Sequence, residues 1–195
     1  MPKIVDHHQY RKELLMKSFD LFAQKGYSSI TMRQLAQELG VSTGTLYHYF
    51  PSKEALFWQL VEEQTQQEIL DFLTEAGDVS SLPERIEALM NFVAKNEDYF
   101  LKQMSLWVDF CQQQDSKEIS NHEVLKRSSE QTKQTIADYL QIPDQAIADF
   151  ICTFLNGLIL RRLFERELVS FQEQGTLLKK MLLAYLEGLG TKREI

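Results

Sequence analysis

The chain has 195 residues, 44% of them hydrophobic and 11% aromatic, which fits one large or two small packed domains and excludes a disordered polymer. Its formal charge of −7, taken whole, argues against nucleic acid or an anionic membrane as partner. Two isolated cysteines (Cys111, Cys152), no CxxC and four scattered histidines (His7, His8, His48, His122) give no zinc site of familiar spacing, and no metal or cofactor is expected.

Residues 1–7 lack the apolar core of a signal peptide. The longest apolar stretch, Phe150 to Leu160, is broken by Thr153, Asn156 and Gly157 and is too short to span a bilayer. A soluble cytoplasmic protein with reduced thiols is expected, with no membrane partner.

Apolar residues recur every three to four positions, so the chain reads as all-α with about nine helices. Leu15, Phe19, Phe22 and Ala23 mark a first helix closed by Gly26. Thr31 and Gln34 have capping-box spacing and open a second, which stops at Gly40. A third follows Ser42 and runs to Tyr49, where Pro51 disfavours further helix. Ser52 caps a long helix from Lys53 to about Glu75, and 76–80 is a loop.

Ser81 and Glu84 form another capping box. Asn96 is read as the cap of a helix over 97–113, and the polar stretch 114–122 as a loop. A helix over 123–140 follows; Pro143 opens another to about Glu167, and a last one covers 171–189.

Residues 28–53 carry the functional signal. Two short helices meet at Leu39-Gly40-Val41-Ser42, where Gly40 suits a positive φ. Leu35, Ala36 and Leu39 face Leu46 and Phe50, the helix-turn-helix pattern. Left over on the second helix are Ser42, Thr43, Gly44 and Thr45, small hydrogen-bonding groups at its N-terminal end, then Tyr47, His48 and Tyr49, with Lys53 beyond. Such a helix end approaches a groove, and rings with polar tips suit phosphate contacts. Residues 1–53 hold seven basic and four acidic groups, net +3; residues 54–195 hold 14 and 24, net −10. The acidity therefore belongs to the body, with domains expected at 1–53 and 54–195.

The runs Gly26-Tyr27, Thr31-Met32-Arg33-Gln34-Leu35-Ala36, Leu39-Gly40-Val41-Ser42, Gly44 to Phe50 and Ser52-Lys53-Glu54-Ala55-Leu56 resemble the DNA-binding domain of the TetR family of transcriptional regulators. The resemblance covers about residues 10–57. It implies a three-helix DNA-binding domain, a divergent ligand-binding core and a homodimer built on the last two helices. It implies a repressor released from a palindromic duplex operator by a small-molecule effector. By motif position, Thr31 and Arg33 fall where the family touches DNA before the turn. Ser42, Thr43, Gly44 and Thr45 fall on the base-reading turn, Tyr47, His48 and Tyr49 on backbone or base contacts, and Lys53 on a phosphate contact.

The remaining features have competing readings. Trp58, Phe72, Phe92, Phe100, Met104, Trp107 and Cys111 are candidates to line a cavity for an apolar or aromatic ligand, or to form a plain aromatic core. The 97–113 helix is apolar nearly all round and is expected to be deeply buried. Asp109, Gln103, Gln112 and Asn91 could supply its cavity with polar groups or face water. Both cysteines read as buried small hydrophobes.

On the last two helices, Phe150, Phe154, Gly157, Leu158, Arg161, Met181, Leu182 and Tyr185 are expected at a dimer interface, Gly157 allowing close approach. Arg161-Arg162 is either an interface ion pair or a solvated rim. His7-His8 reads as a flexible N-terminal arm which, with Lys3, Arg11 and Lys12, could touch DNA backbone. No Gly-rich phosphate loop, GxSxG or HExxH occurs, so an enzyme is not expected. A DNA-binding regulator or architectural factor without small-molecule input, acting through a protein partner, stays open as an alternative.

Overall fold

The computed structural model describes residues 6–142 and 144–190, the side chains of 167, 189 and 190 excepted. Its helices are α1 (His7–Lys25), α2 (Met32–Glu38), α3 (Thr43–Tyr49), α4 (Lys53–Ala76), α5 (Leu82–Lys95), α6 (Glu97–Gln112), α7 (Ser116–Asn121), α8 (Glu123–Leu140), α9 (Gln145–Phe164) and α10 (Phe171–Gly190). The fold is all-α: among the described residues there are ten α-helices, one 3-10 turn (Arg166–Leu168) and no strand. None of these helices is long and apolar enough to cross a membrane.

The local signals act as their chemistry dictates. Thr31 Oγ1 accepts from Gln34 N–H while the Gln34 side chain accepts from Thr31 N–H, closing the capping box of α2. Ser81 and Glu84 do the same for α5, and Ser52 Oγ accepts from Ala55 N–H at 2.9 Å. Gly26 and Gly40 take φ of 82° and 68°, which only glycine adopts without strain.

Several expectations need correction. The stretch 114–122 contains α7, started by Asp115, whose carboxylate accepts from Lys117 N–H. A short polar helix has no buried face to give a periodic signal. Asn96 serves both helices: its carbonyl accepts from Phe100 N–H at 3.1 Å at the start of α6, while its side-chain amide turns back and donates to Phe92 O at 2.9 Å, closing α5. Helix α9 stops at Phe164, before the 3-10 turn, and not near 167. On α6 only Leu106 and Phe110 are fully buried, so the helix is one-sided rather than encircled. Cys111 is exposed rather than buried. The expected start at Pro143 lies outside the described residues.

The chain forms two compact units, residues 1–68 with 102–130 and residues 69–101 with 131–195. In the first, Leu15, Leu35, Leu46, Phe50, Leu56, Phe57 and Phe110 are fully buried. Phe57 stacks on Phe110 at 3.7 Å, and Trp58 stacks on His122 at 3.6 Å. In the second, α5 packs on α10. Gly175 is the close approach there: a Cβ added to it would sit 2.9 Å from Met90 Cγ. Gly157, expected to allow close approach at a dimer interface, is exposed on the outer side of α9, with no described atom within 4 Å of an added Cβ.

Candidate nucleic-acid interface

Helices α2 and α3 pack through Leu35, Ala36, Leu46 and Phe50, all 1% exposed or less. Burying that face turns the other outward. Ser42, Thr43, Gly44, Tyr47 and His48 are exposed on α3, as are Thr31 and Arg33 around α2. Ser42 Oγ accepts from Thr45 N–H at 2.9 Å and lies 2.8 Å from Thr45 Oγ1, fixing both hydroxyls at the helix start. The N–H groups of Thr43 and Gly44 have no intrahelical acceptor by helix geometry, so this end presents donors and a partial positive charge.

Three expected contacts are held differently. Tyr49 is half-buried and turned to α1, its hydroxyl sharing a 2.8 Å hydrogen bond with His7 Nδ1 and its ring meeting Tyr10 edge-on. Lys53 donates to Tyr27 O at 2.7 Å and Ile30 O at 3.1 Å, and its ammonium lies 4.2 Å from the Tyr27 ring centroid. Burial lowers the Lys53 pKa, with Asp109 opposing. Thr45 is half-buried rather than fully open. Lys53 thus fastens the 27–30 loop while presenting what remains of its donor capacity.

His7 and His8 form the first turn of α1, capped by Asp6, whose carboxylate accepts from His8 N–H at 3.0 Å; they are not a flexible arm. Arg11 donates to Gln59 Oε1, and Lys12 pairs with Glu63 at 2.9 Å, so both basic groups are tied to α4 instead of reaching for a phosphate. Lys3 lies outside the described residues. Lys25 pairs with Glu38 at 2.5 Å, which removes Glu38 as a partner for Arg33. Only Glu63 meets this charge from outside the segment, since the Lys25–Glu38 pair is already within the +3, so about two net positive charges remain, with Arg33 and Lys17 among the exposed cations.

Sequence reading missed Asp109 as part of this framework. Its carboxylate accepts from Ser28 N–H at 3.1 Å and holds the turn after α1. Tyr27 fills the space below, and burial, with Glu54 and Asp109 adding, pushes its phenol up to about 12. No local signal marks it, because its neighbours on the same helix face, Lys102, Ser105, Leu106 and Gln112, are mostly polar.

The candidate ligand residues are not brought together in one unit. Trp58, Met104, Trp107 and Cys111 belong to the first and Phe72, Phe92 and Phe100 to the second. Trp58 and Trp107 pack edge-on with Phe57 and Phe110, and Phe72 packs on Phe92 and Tyr139. No His, Cys, Asp or Glu group of metal-binding arrangement occurs among the described residues.

The candidate interface residues also separate. Leu158 and Leu182 are buried in their own unit, because they lie on the inner sides of α9 and α10, and they are not available to a partner. Phe150, Met181 and Tyr185 are about half exposed, and Phe154 partly so. Arg161 pairs at 2.8 Å with Glu165, the residue just past the end of α9. Arg162 is an internal tie rather than an interface or rim group, donating to Glu97 at 2.6 Å and covering the Phe171 ring.

Residues 14–60 match the family "Bacterial regulatory proteins, tetR family". The regulator PksA of Bacillus subtilis is 28% identical over 113 residues, 56% of this chain and 54% of that protein. The repressor Rv1474c of Mycobacterium tuberculosis is 38% identical over 69 residues, 34% of this chain and 37% of that one. These matches span between a third and about half of the curated relatives' length. A TetR transcription regulator from Haloarcula marismortui shares the fold, with a TM-score of 0.70 over 88% of this chain and 96% of that one at 11% identity. The helix-turn-helix of α2 and α3 lies within residues 14–60, so it is this N-terminal part of the chain that is similar to the tetR family of bacterial regulatory proteins.

Proposed function

We propose that this chain is a DNA-binding transcriptional regulator that acts as a homodimeric repressor. The observation that carries the reading is the division of α3. Leu46 and Phe50 are sealed inside, while Ser42, Thr43, Gly44, Tyr47 and His48 form an exposed polar end with free donors. That surface fits a major groove, with Thr43, Gly44 and Thr45 against base edges. Thr31, Arg33, Tyr47 and His48 lie at the flanking backbone, and Lys53 and Tyr49 serve mainly to hold the helix in place. The N-terminal segment, residues 1–53, is the reading head; residues 54–195 sense and dimerise.

The outer residues of α9 and α10, Phe150, Phe154, Met181 and Tyr185, are proposed to meet a second copy. Two-fold symmetry then sets the recognition helices about 34–36 Å apart, on a near-palindromic operator. A small apolar or aromatic effector would release the operator only if it binds the released state more tightly. The packed edge-on contacts of Trp58 and Trp107 favour a second reading, regulation without a small molecule, through a protein partner. A thermal-shift screen separates the two: the effector reading expects ligands that stabilise the protein and release DNA.

The test of DNA binding is selection of bound duplexes from a random pool, followed by affinity measured against salt. A palindromic consensus is expected, with affinity falling steeply as salt displaces phosphate contacts. Recovery of no consensus, or salt-independent binding, would refute the reading.

A further inference from the structure

The second unit contains a cleft of about 380 Å³ lined by Leu73, Gly77, Asp78, Val79, Arg85, Asp138, Tyr139 and Gln141. Its floor holds a cation that the fold leaves only partly satisfied. Arg85 is 8% exposed, yet its only hydrogen bond among the described residues is from Nε to Val79 O at 2.8 Å. No carboxylate of those residues forms an ion pair with it. The other guanidinium nitrogens of Arg85 are not among the buried atoms left without a partner, so they open to the cleft and keep donors to offer an acceptor there.

The rest of the cleft has the opposite sign. Asp78 and Asp138 are exposed at its rim. Helices α4 and α8 both end there, at Ala76 and Leu140, and turn through left-handed residues, Gly77 at φ 63° and Gln141 at φ 56°. Helix C-termini carry partial negative charge and attract cations. Asp138 accepts from Gln134 at 2.8 Å, which steadies it, and Tyr139 donates its hydroxyl to Ala76 O at 3.3 Å, which places the phenol between the two poles.

We propose that this cleft binds a small zwitterion, a molecule carrying one carboxylate and one ammonium. Arg85 takes the carboxylate through its remaining N–H groups, in the paired geometry that guanidinium favours. Asp78, Asp138 and the two helix ends take the ammonium. Two carboxylates beside one guanidinium leave the rim net negative, which disfavours a dianion; the buried guanidinium disfavours a dication. This site touches the aromatic candidates only where Tyr139 meets Phe72, and it does not depend on DNA binding.

The test uses the full chain and defined probes, followed by saturation-transfer and chemical-shift NMR. Glycine, 4-aminobutyrate and 6-aminohexanoate vary the spacing of the two charges; succinate and putrescine are the dianion and dication. Saturable binding of at least one zwitterion is expected, tighter than succinate or putrescine. Arg85→Gln should weaken it by about tenfold or more, the effect of losing a charge-assisted hydrogen bond. Because Arg85 also holds the Val79 turn, Asp138→Asn, at an exposed position, is the second variant and should weaken the zwitterion without changing helicity. Absence of zwitterion binding, equal binding of succinate or putrescine, or unchanged affinity in Asp138→Asn would each overturn the proposal.

Discussion

The pair α2 and α3 and the pair α9 and α10 solve the same problem to different extents. In the first pair every large aliphatic or aromatic residue of the packing face is sealed, and the exposed remainder is hydroxyl, amide, imidazole and guanidinium, with one carboxylate, Glu38, paired to Lys25. In the second, Leu158 and Leu182 are sealed, but Phe150, Phe164, Leu177, Met181 and Tyr185 stay about half exposed or more. A helix pair that finishes its burial on its own chain offers a polar partner its hydrogen bonds. A pair that does not finish offers apolar area, which is worth burying against a second copy.

The largest effect expected from this contrast is at the sealed face. Phe50→Ala should cost about 3–5 kcal/mol, read by denaturant unfolding, because the cavity lies between two short helices that cannot close over it. A smaller loss would mean that the head is loosely packed.

Alkaline titration probes the same sealed core. Tyr27 ionises at about 12 when folded and near 10 when unfolded. A raised pKa gives stability that is fully present below pH 10 and is lost as pH rises towards 12. The loss should reach about 2 kcal/mol, and Tyr27→Phe should flatten it. An unchanged alkaline profile in that variant would place the phenol in water.

On the open face, Met181→Asp should leave the fold intact and separate the copies. Light scattering should fall from about 46 kDa, twice 22.8 kDa, to the single-chain mass. An introduced charge at an interface centre costs about 2 kcal/mol or more. A monomeric parent protein would remove the two-copy reading altogether.

The smallest effect is at the cap. Thr31→Ala should destabilise α2 by about 1 kcal/mol, with a matching fall in the melting temperature.

What was legible in the sequence follows the same division. Capping boxes at Thr31 and Ser81 and the glycine turns at 26 and 40 are local, so the residues that specify them sit within four positions. The facing sides of α2 and α3 were equally readable, because adjacent helices give an unambiguous inner face. Long-range partners were not. Nothing near Lys53 announces that the carbonyls of Tyr27 and Ile30 hold it, nor does anything near Tyr49 point to His7. Arg11 and Lys12 counted as free positive charge until Gln59 and Glu63 on another helix accounted for them. The close approach at Gly175 was missed for the same reason: Met90 lies on a different helix, and glycine carries no periodic signal.

The most direct test of the central proposal is the affinity of Tyr47→Glu for the selected duplex, measured beside its melting temperature. Tyr47 is 49% exposed, so its replacement should leave the fold unchanged. A carboxylate facing phosphate should weaken binding by about tenfold or more. Undiminished affinity, with the melting temperature equally unmoved, would contradict the assignment of the exposed face of α3 to DNA.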